Sequence, residues 1–422
     1  MKRSALLVLA LAACGPGDGG RPDAQIDGAT LAGRVWAPDQ GPGQVPPGQE
    51  VPISGARVYL APERPADLPD HVYCDSCQAA PGSSILSGAD GRFRLDAAPG
   101  HYWFVIEKGQ FRVEREIEIL PGVTLLPDAD TTLPTSWTPS LGIFAPKLAL
   151  AKGNNDRIED ILHKLGLMQL DVFDYDLPSD DPMSVATLLR DIDTMRHYHV
   201  IFFPCRGVMP PDVAALLEDE AVLTNIRTFV NEGGKLYVTD WSGEVADRAF
   251  PHQIELGDEG ADSEGTYDPT ALTGTLSTIG DADGDQYDVI DAKAIDPDLS
   301  AWLGLQGAPL ENGSVVGMID ADAFEVVDLW NWIKKLNPVA IGTDGQGMPL
   351  YDTPKVWLTG SRPGTSGGPK PIAVTYQPTG CGKVLYTPFQ TATATHNGLY
   401  PQERVLLYLI LEIGSCSDVS VE

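Results

Sequence analysis

The pattern of apolar and polar positions divides the chain into two regions with different periods. Between residues 28 and 134, apolar and polar residues alternate over short runs, such as residues 56–60 and 101–106, that glycine, proline and aspartate interrupt. Period two predicts strands, and the turns at residues 88–91 and 98–100 have the composition of hairpin turns. We therefore predict an all-β sandwich for residues 28–134.

Residues 140–416 follow a second pattern, in which short apolar runs alternate with amphipathic segments. This alternation predicts an α/β domain with a mostly parallel sheet and helices on both faces. Ligands of such sheets bind beyond the carboxyl ends of the strands. Residues 252–310 interrupt the pattern and are interpreted as an insertion. The predicted strands cover residues 147–151, 170–175, 200–204, 235–240 and 382–389, and the predicted helices cover residues 157–166, 184–192, 213–231 and 402–411.

The start of the chain has the composition of a secretion signal. Two basic residues precede a short apolar stretch at residues 5–13, which is too short to span a bilayer stably. The residues just before Cys14 are small, and Leu11-Ala12-Ala13-Cys14 resembles the lipobox of bacterial lipoproteins. That resemblance implies removal of residues 1–13 and acylation of Cys14, with residues 14–27 as a flexible tether.

Charge and sorting signals narrow the partners and the location. The formal net charge is −30, and the sequence lacks the clustered Lys and Arg that binding to nucleic acid needs, so nucleic acid is not expected as a partner. Gly15 stands where inner-membrane retention signals usually place Asp, so resemblance to sorted lipoproteins implies the outer membrane. A chain of 422 residues with 43% hydrophobic content is sufficient for two or three domains with real cores.

Five further cysteines follow Cys14, and an exported chain permits disulfides. Cys381 precedes a predicted strand and Cys416 closes the last predicted helix, so a bridge between them would staple the C-terminus to the sheet. Cys74 and Cys77 form a CxxC without a second CxxC or a spaced His pair, which favours a local disulfide over a zinc site. Cys205 is then the odd thiol.

The first region resembles the carboxypeptidase regulatory-like domain, a prealbumin-like β-sandwich. The resemblance rests on Leu31-Ala32-Gly33-Arg34-Val35, residues 53–60, Ser87-Gly88-Ala89-Asp90-Gly91-Arg92-Phe93 and residues 98–102, and it covers about a quarter of the chain. Insertions at residues 40–50 and 74–77 depart from the family. Such domains are accessory modules without catalytic residues, which implies a spacer or a contact for sugar or protein.

The second region resembles the class I glutamine amidotransferase-like fold, which is flavodoxin-like, and its trehalose-utilisation-type relatives. The matching residues are 199–207, 229–243, 382–389 and 402–411. The family places a nucleophilic cysteine at the tight turn after the strand that corresponds to residues 236–239. Here the turn reads Asp240-Trp241-Ser242, and the expected His-x-Glu pair is missing. Glutamine hydrolysis is therefore not expected.

A different catalytic use of this turn stays open. Ser242 is a candidate nucleophile with His396 or His252 as base and Asp240 as orienting group, and Cys205-Arg206 at another strand end could line the same cleft. The glycines that expose an elbow serine are missing, however. The simpler interpretation is that Asp240 and Ser242 cap the following helix and that Cys205 is a buried bystander.

The predicted insertion contains alternate carboxylates at Asp281, Asp283 and Asp285, as calcium loops do. An EF-hand loop needs Gly at its sixth position and Glu at its twelfth, where this stretch has Gln286 and Ala292. An acidic solvated turn is favoured over a calcium site, and no other cofactor is indicated.

These observations predict a multidomain lipoprotein, anchored to a membrane through Cys14. The favoured function is non-catalytic binding or scaffolding at the bacterial cell envelope, with carbohydrate or an envelope protein as partner. The alternative is a hydrolase of envelope carbohydrate or peptide that acts through a cleft at Asp240 and Ser242.

Overall fold

The computed structural model describes most of the chain between residues 28 and 414. The described residues are 28–75, 83–206, 215–251, 253–256, 287–309, 315–329, 333–343, 345–361, 368–378, 381–391 and 396–414. None of the helices in these ranges is both long and apolar enough to cross a membrane.

Several β-sheets and short helices make up this part of the chain. The strands are β1 Ala29–Arg34, β2 Arg57–Ala61, β3 Ser84–Leu86, β4 Arg92–Ala97, β5 Gly100–Lys108, β6 Phe111–Ile119, β7 Gly122–Leu125, β8 Ile143–Phe144, β9 Leu148–Ala151, β10 Leu170–Phe173, β11 Val200–Phe203, β12 Lys235–Thr239, β13 Ile254–Leu256, β14 Tyr287–Ala294, β15 Gly307–Pro309, β16 Val315–Met318, β17 Phe324–Leu329, β18 Ile333–Leu336, β19 Val339–Thr343, β20 Pro349–Asp352, β21 Lys355–Ser361, β22 Lys370–Tyr376 and β23 Lys383–Thr387. The helices are α1 Asp128–Thr131, α2 Ile158–Lys164, α3 Val185–Arg190, α4 Ile192–Arg196, α5 Glu220–Asn231, α6 Glu244–Ala249, α7 Pro297–Leu303 and α8 Pro401–Ile413, with short 3-10 turns at Pro139–Leu141 and Asp240–Gly243.

Two sheets form the N-terminal part. One has the order β4-β1-β7 and the other the order β3-β2-β5-β6-β8. Alternation along β4 buries Phe93 and Leu95 and exposes Arg92 and Arg94. Phe93 stacks on Phe104 of β5, with ring centroids 6.1 Å apart, so the apolar faces of the two sheets meet in one core.

The main sheet has nine strands in the described residues, in the order β10-β9-β11-β12-β23-β22-β21-β14-β17. The five strands from β10 to β23 are parallel, whereas each pair from β23 to β17 is antiparallel. The prediction of a mostly parallel sheet is therefore wrong for half of it. Within the antiparallel half, β21, β22 and β23 follow one another in the sequence, and short connections between successive strands suit antiparallel pairing.

The segment predicted as an insertion contributes to the main sheet where it is described. β14 lies between β21 and β17 and pairs with both. Trp302 of α7 is buried and donates from Nε1 to the Pro52 carbonyl at 2.6 Å. The later part of residues 252–310 thus joins the main sheet to the N-terminal sheets.

Alternation along the buried parallel strands assigns their side chains to two cores. Leu150, Phe202 and Tyr237 face a core that also contains the N-terminal sheets, α2, α7 and α8. Their neighbours along the strands, such as Phe203 and Val238, face a second core beneath α3 to α6. Both faces of the parallel part of the main sheet are therefore covered, which explains why the sequences of these strands are continuous apolar runs.

A disulfide joins Cys74 to Cys381, with a Cα–Cα separation of 5.6 Å. The predicted bridges from Cys74 to Cys77 and from Cys381 to Cys416 are therefore wrong as pairings, although Cys74 and Cys381 are both bridged. Folding brings residues that are 307 positions apart within bonding range. Cys77 and Cys416 lie outside the described residues.

Candidate functional site at the carboxyl edge of the main sheet

The parallel strands β9, β11, β12 and β23 end at one edge of the main sheet, and the turn after β12 is the candidate elbow. Asp240 occupies this turn with φ of +46°, in the left-handed region that residues other than glycine seldom adopt. The packing is close, since a Cβ at Gly243 would lie 2.8 Å from the Tyr386 ring. Asp240 therefore stands where the amidotransferase resemblance places the nucleophile.

The Asp240 side chain is buried in a polar network. It has no exposed surface, and Gln390 Nε2 donates to its Oδ2 at 2.7 Å. Gln402 Nε2 of α8 in turn donates to the Gln390 carbonyl at 2.6 Å. The network ties the turn after β12 to the segment after β23 and to α8.

Ser242 is equally buried, and its hydroxyl donates to the Pro204 carbonyl at 2.8 Å. Gly243 is the N-cap of α6 and makes no side-chain cap, and the 3-10 turn before it has none either. The N-cap position of α6 thus belongs to Gly243 and not to Asp240 or Ser242, the residues that the capping interpretation named. Their side chains point back to the ends of β11 and β23, where buried acceptors and donors need partners.

Cys205 and Arg206 follow β11 and lie beside this turn. Cys205 is 1% exposed, and its backbone N–H donates to Thr239 Oγ1 at 2.8 Å. Arg206 forms an ion pair with Asp176 at 2.6 Å, and its guanidinium lies 5.4 Å from the centroid of the Tyr175 ring. The Cys205 thiol is buried as expected, and the Arg206 guanidinium contacts the Asp176 carboxylate and the Tyr175 ring.

His396 has other partners. Its Nε2 lies 2.8 Å from Glu403 Oε1 and 3.3 Å from Lys164 Nζ, and its ring stacks on Tyr400 at 3.8 Å. Glu403 also accepts from the Tyr400 N–H and so caps α8. Within the described ranges no imidazole hydrogen-bonds to the Ser242 hydroxyl, and His252 lies outside them.

Sequence reasoning missed Asp156, which organises the same edge. Asp156 is completely buried and accepts hydrogen bonds from Thr239 Oγ1 at 2.6 Å, from the Thr391 N–H at 3.0 Å and from the Thr391 hydroxyl. Burial raises the pKa of this carboxyl. Its place in the loop between a predicted strand and a predicted helix was the available signal.

Metal chemistry has no support in the part of the chain that the structure describes. These residues contain no group of three or more His, Cys, Asp or Glu side chains that could hold a metal ion. The calcium candidates Asp281, Asp283 and Asp285 lie outside the described residues.

The sequence matches no protein-family model and no curated protein. Similar solved structures include a ThuA-like protein from Parabacteroides merdae, with 13% identity, a TM-score of 0.34 and coverage of 65% of this chain and 91% of that chain. A ThuA-like protein from Bacteroides uniformis has 8% identity and a TM-score of 0.30, and the match covers 62% of this chain and 88% of that chain. A β-galactosidase from Bacillus circulans sp. alkalophilus has 12% identity and a TM-score of 0.31 over 64% of this chain and 31% of the enzyme, so the match spans less than a third of that enzyme. With TM-scores below 0.5, these similarities assign no activity.

Proposed function

We propose that this chain is a lipid-anchored, non-catalytic binding or scaffolding protein of the bacterial cell envelope, held at the outer membrane through Cys14. Its partner is envelope carbohydrate or an envelope protein. We assign the N-terminal sheets to a carboxypeptidase regulatory-like accessory domain and the main sheet to a second, flavodoxin-like domain. The lipobox resemblance of residues 11–14 supports the anchor.

The observation that carries the non-catalytic proposal is the hydrogen bond from Ser242 to the Pro204 carbonyl. A serine nucleophile needs a base within about 2.6–3.2 Å to take its proton and needs access to substrate. Ser242 faces a carbonyl, which accepts no proton at neutral pH, and it has no exposed surface. The hydrolase alternative would require this turn to open and His396 to leave Glu403.

Asp240 supports the same conclusion. The Asp240 carboxyl group in the left-handed turn position accepts from the Gln390 amide and so connects two strand ends. A side-chain hydrogen bond of this kind typically contributes about 0.5–1.5 kcal/mol. The geometry of a nucleophile elbow is thus used to hold the sheet edge together.

Ser242→Ala tests the proposal, and Ser87→Ala is its matched control. Ser87 is also a buried serine whose hydroxyl donates to a carbonyl, that of Ile53 at 2.7 Å, but it lies in the N-terminal part. Each substitution is expected to lower the free energy of unfolding by about 1 kcal/mol. Purified protein is assayed with nitrophenyl esters, nitrophenyl glycosides and peptidoglycan fragments.

We expect no turnover that depends on Ser242. Turnover that is lost in Ser242→Ala and kept in Ser87→Ala would establish a hydrolase and refute the proposal. The expected positive result is that the protein without substitutions binds to isolated peptidoglycan or outer-membrane protein fractions. Both variants should bind equally well.

A further inference from the structure

The three-stranded sheet β4-β1-β7 has an outer face of unusual composition for this acidic chain. Residues directly opposite each other on paired strands share a face. Leu31 lies opposite Leu95, and this face is buried. The other face is formed by Thr30, Ala32, Arg34, Arg92, Arg94, Asp96, Val123 and Leu125.

Two large apolar side chains on this outer face are open to solvent. Val123 is 62% exposed and Leu125 is 75% exposed, and Leu120, just before β7, is 61% exposed. Among the residues that the structure describes, β7 is also one of the two edge strands of its sheet. A cluster of exposed apolar residues on an edge strand marks an interaction surface or an aggregation hazard.

Cationic side chains lie beside these apolar groups. Arg92 and Arg94 are exposed on β4, and Arg34 lies opposite Arg92 on β1. Asp90 pairs with Arg92 at 2.9 Å and with Arg34 at 3.6 Å, and Asp96 accepts from Thr30. The three arginines and Asp96 of this face, together with the neighbouring Asp90, sum to one positive charge, whereas the whole chain carries −30.

The point where the chain enters this sheet decides what the face meets. The carbonyl of Gly28 accepts from the Gly122 N–H at 3.2 Å, so the chain enters beside the start of β7. Cys14 lies 14 residues earlier, and a segment of that length reaches about 50 Å at most and about 20 Å as a random coil. A lipid on Cys14 would hold this face close to the bilayer, at a high effective concentration.

We infer that the outer face of β4-β1-β7 docks on the bilayer surface, with Val123 and Leu125 among the acyl chains and the arginines on lipid phosphates. Arginine suits this contact because its guanidinium binds phosphate in bidentate fashion. Lipid on Cys14 would supply the attachment, and the apolar and cationic contact of this face would add to it. The inference rests on the proposed acylation of Cys14.

The test uses the full-length acylated protein in vesicles of phosphatidylethanolamine and phosphatidylglycerol and in detergent micelles. Hydrogen exchange of residues 120–126 is expected to be roughly tenfold slower on vesicles than in micelles. Val123→Asp/Leu125→Asp should abolish the slowing while the protein still floats with the vesicles. Leu141→Asp/Met168→Asp is the matched control, since these side chains are 68% and 66% exposed elsewhere, and it should keep the slowing.

Failure of the anchor and failure of the docking give different results. Absence of an acylated Cys14 peptide, or flotation that survives Cys14→Ser, would refute the anchor. Acylated protein that floats but exchanges residues 120–126 equally fast on vesicles and in micelles would overturn the docking inference. Protection in micelles together with a doubled particle mass would also overturn it, because a second copy would then cover the face.

Discussion

His199 is a buried imidazole at the contact between residues 69–73 and the main sheet. Its Nδ1 accepts from the Lys147 N–H at 2.8 Å, so its Nε2 carries the proton and donates to the Pro69 carbonyl at 3.0 Å. Trp137 stacks on the ring at 5.4 Å. Burial lowers the pKa of His199 to about 4, and the cations around it act in the same direction.

This residue predicts acid sensitivity. The unfolded chain takes up a proton on this imidazole near pH 6.5, whereas the folded protein does so near pH 4. Stability from neutral His199 is thus fully present above pH 6.5 and falls as the pH drops towards 4, by up to about 3 kcal/mol. Urea unfolding at pH 7.5 and pH 4.5 measures the loss.

His199→Asn should reduce the difference in the free energy of unfolding between the two pH values. His71→Asn is the control, because His71 lies in the contacting residues 69–73 but its side chain is 62% exposed. Equal pH dependence in the native protein and His199→Asn would contradict the assignment. Sequence reasoning did not single out His199, because its burial depends on residues 69–73, which are far away in the chain.

At the scale of an element, α7 shows how a local signal serves a distant contact. Asp296 Oδ1 accepts from the N–H groups of Asp298 and Leu299 at 3.1 and 2.9 Å, and Pro297 occupies the first helical position. The other carboxylate oxygen of Asp296, Oδ2, forms an ion pair with Lys355 Nζ at 2.8 Å. The cap fixes the start of the helix that places Trp302 against Pro52.

Asp296→Ala is expected to lower the free energy of unfolding by about 1–2 kcal/mol, because it removes the acceptor for two N–H groups at the helix start. Asp296→Asn should lose less, since the amide oxygen can still accept. Asp298→Ala is the control in the same turn, and its carboxylate makes no cap. The assignment fails if the alanine variants at 296 and 298 are equally stable in urea unfolding.

At the scale of the whole molecule, the Cys74–Cys381 bridge joins the segment between β2 and β3 of the N-terminal part to the start of β23. Other contacts run parallel to it, including the ion pair between Lys108 and Glu412 and the hydrogen bond from Arg404 to the Gln49 carbonyl at 3.3 Å. The N-terminal sheets and the main sheet therefore share one core and several polar contacts.

Removal of this bridge by Cys74→Ser/Cys381→Ser is expected to lower the free energy of unfolding by about 2–5 kcal/mol, because the bridge restricts the unfolded chain. Non-reducing peptide mapping should recover a Cys74–Cys381 peptide, and Cys77→Ala or Cys416→Ala should leave it intact. A map that joined Cys74 to Cys77 or Cys381 to Cys416 would contradict the pairing.

The candidate site was located from sequence only in outline. Asp240 and Ser242 were identified because a strand and then a tight turn leave a local pattern. Their roles depend on Gln390 and Pro204, which are 150 and 38 residues away. Asp156 was missed because its role depends on hydrogen bonds from Thr239 and Thr391, which are distant from it in the sequence.

The sequence by itself determined the elements with a clear period, such as β11, β12 and α8, because apolar spacing and capping act over a few residues. Tertiary structure alone decided the antiparallel half of the main sheet and the partner of Cys74. It also decided whether the side chains after β12 face solvent or one another. These depend on contacts between distant segments, and a linear pattern does not record which segment covers which.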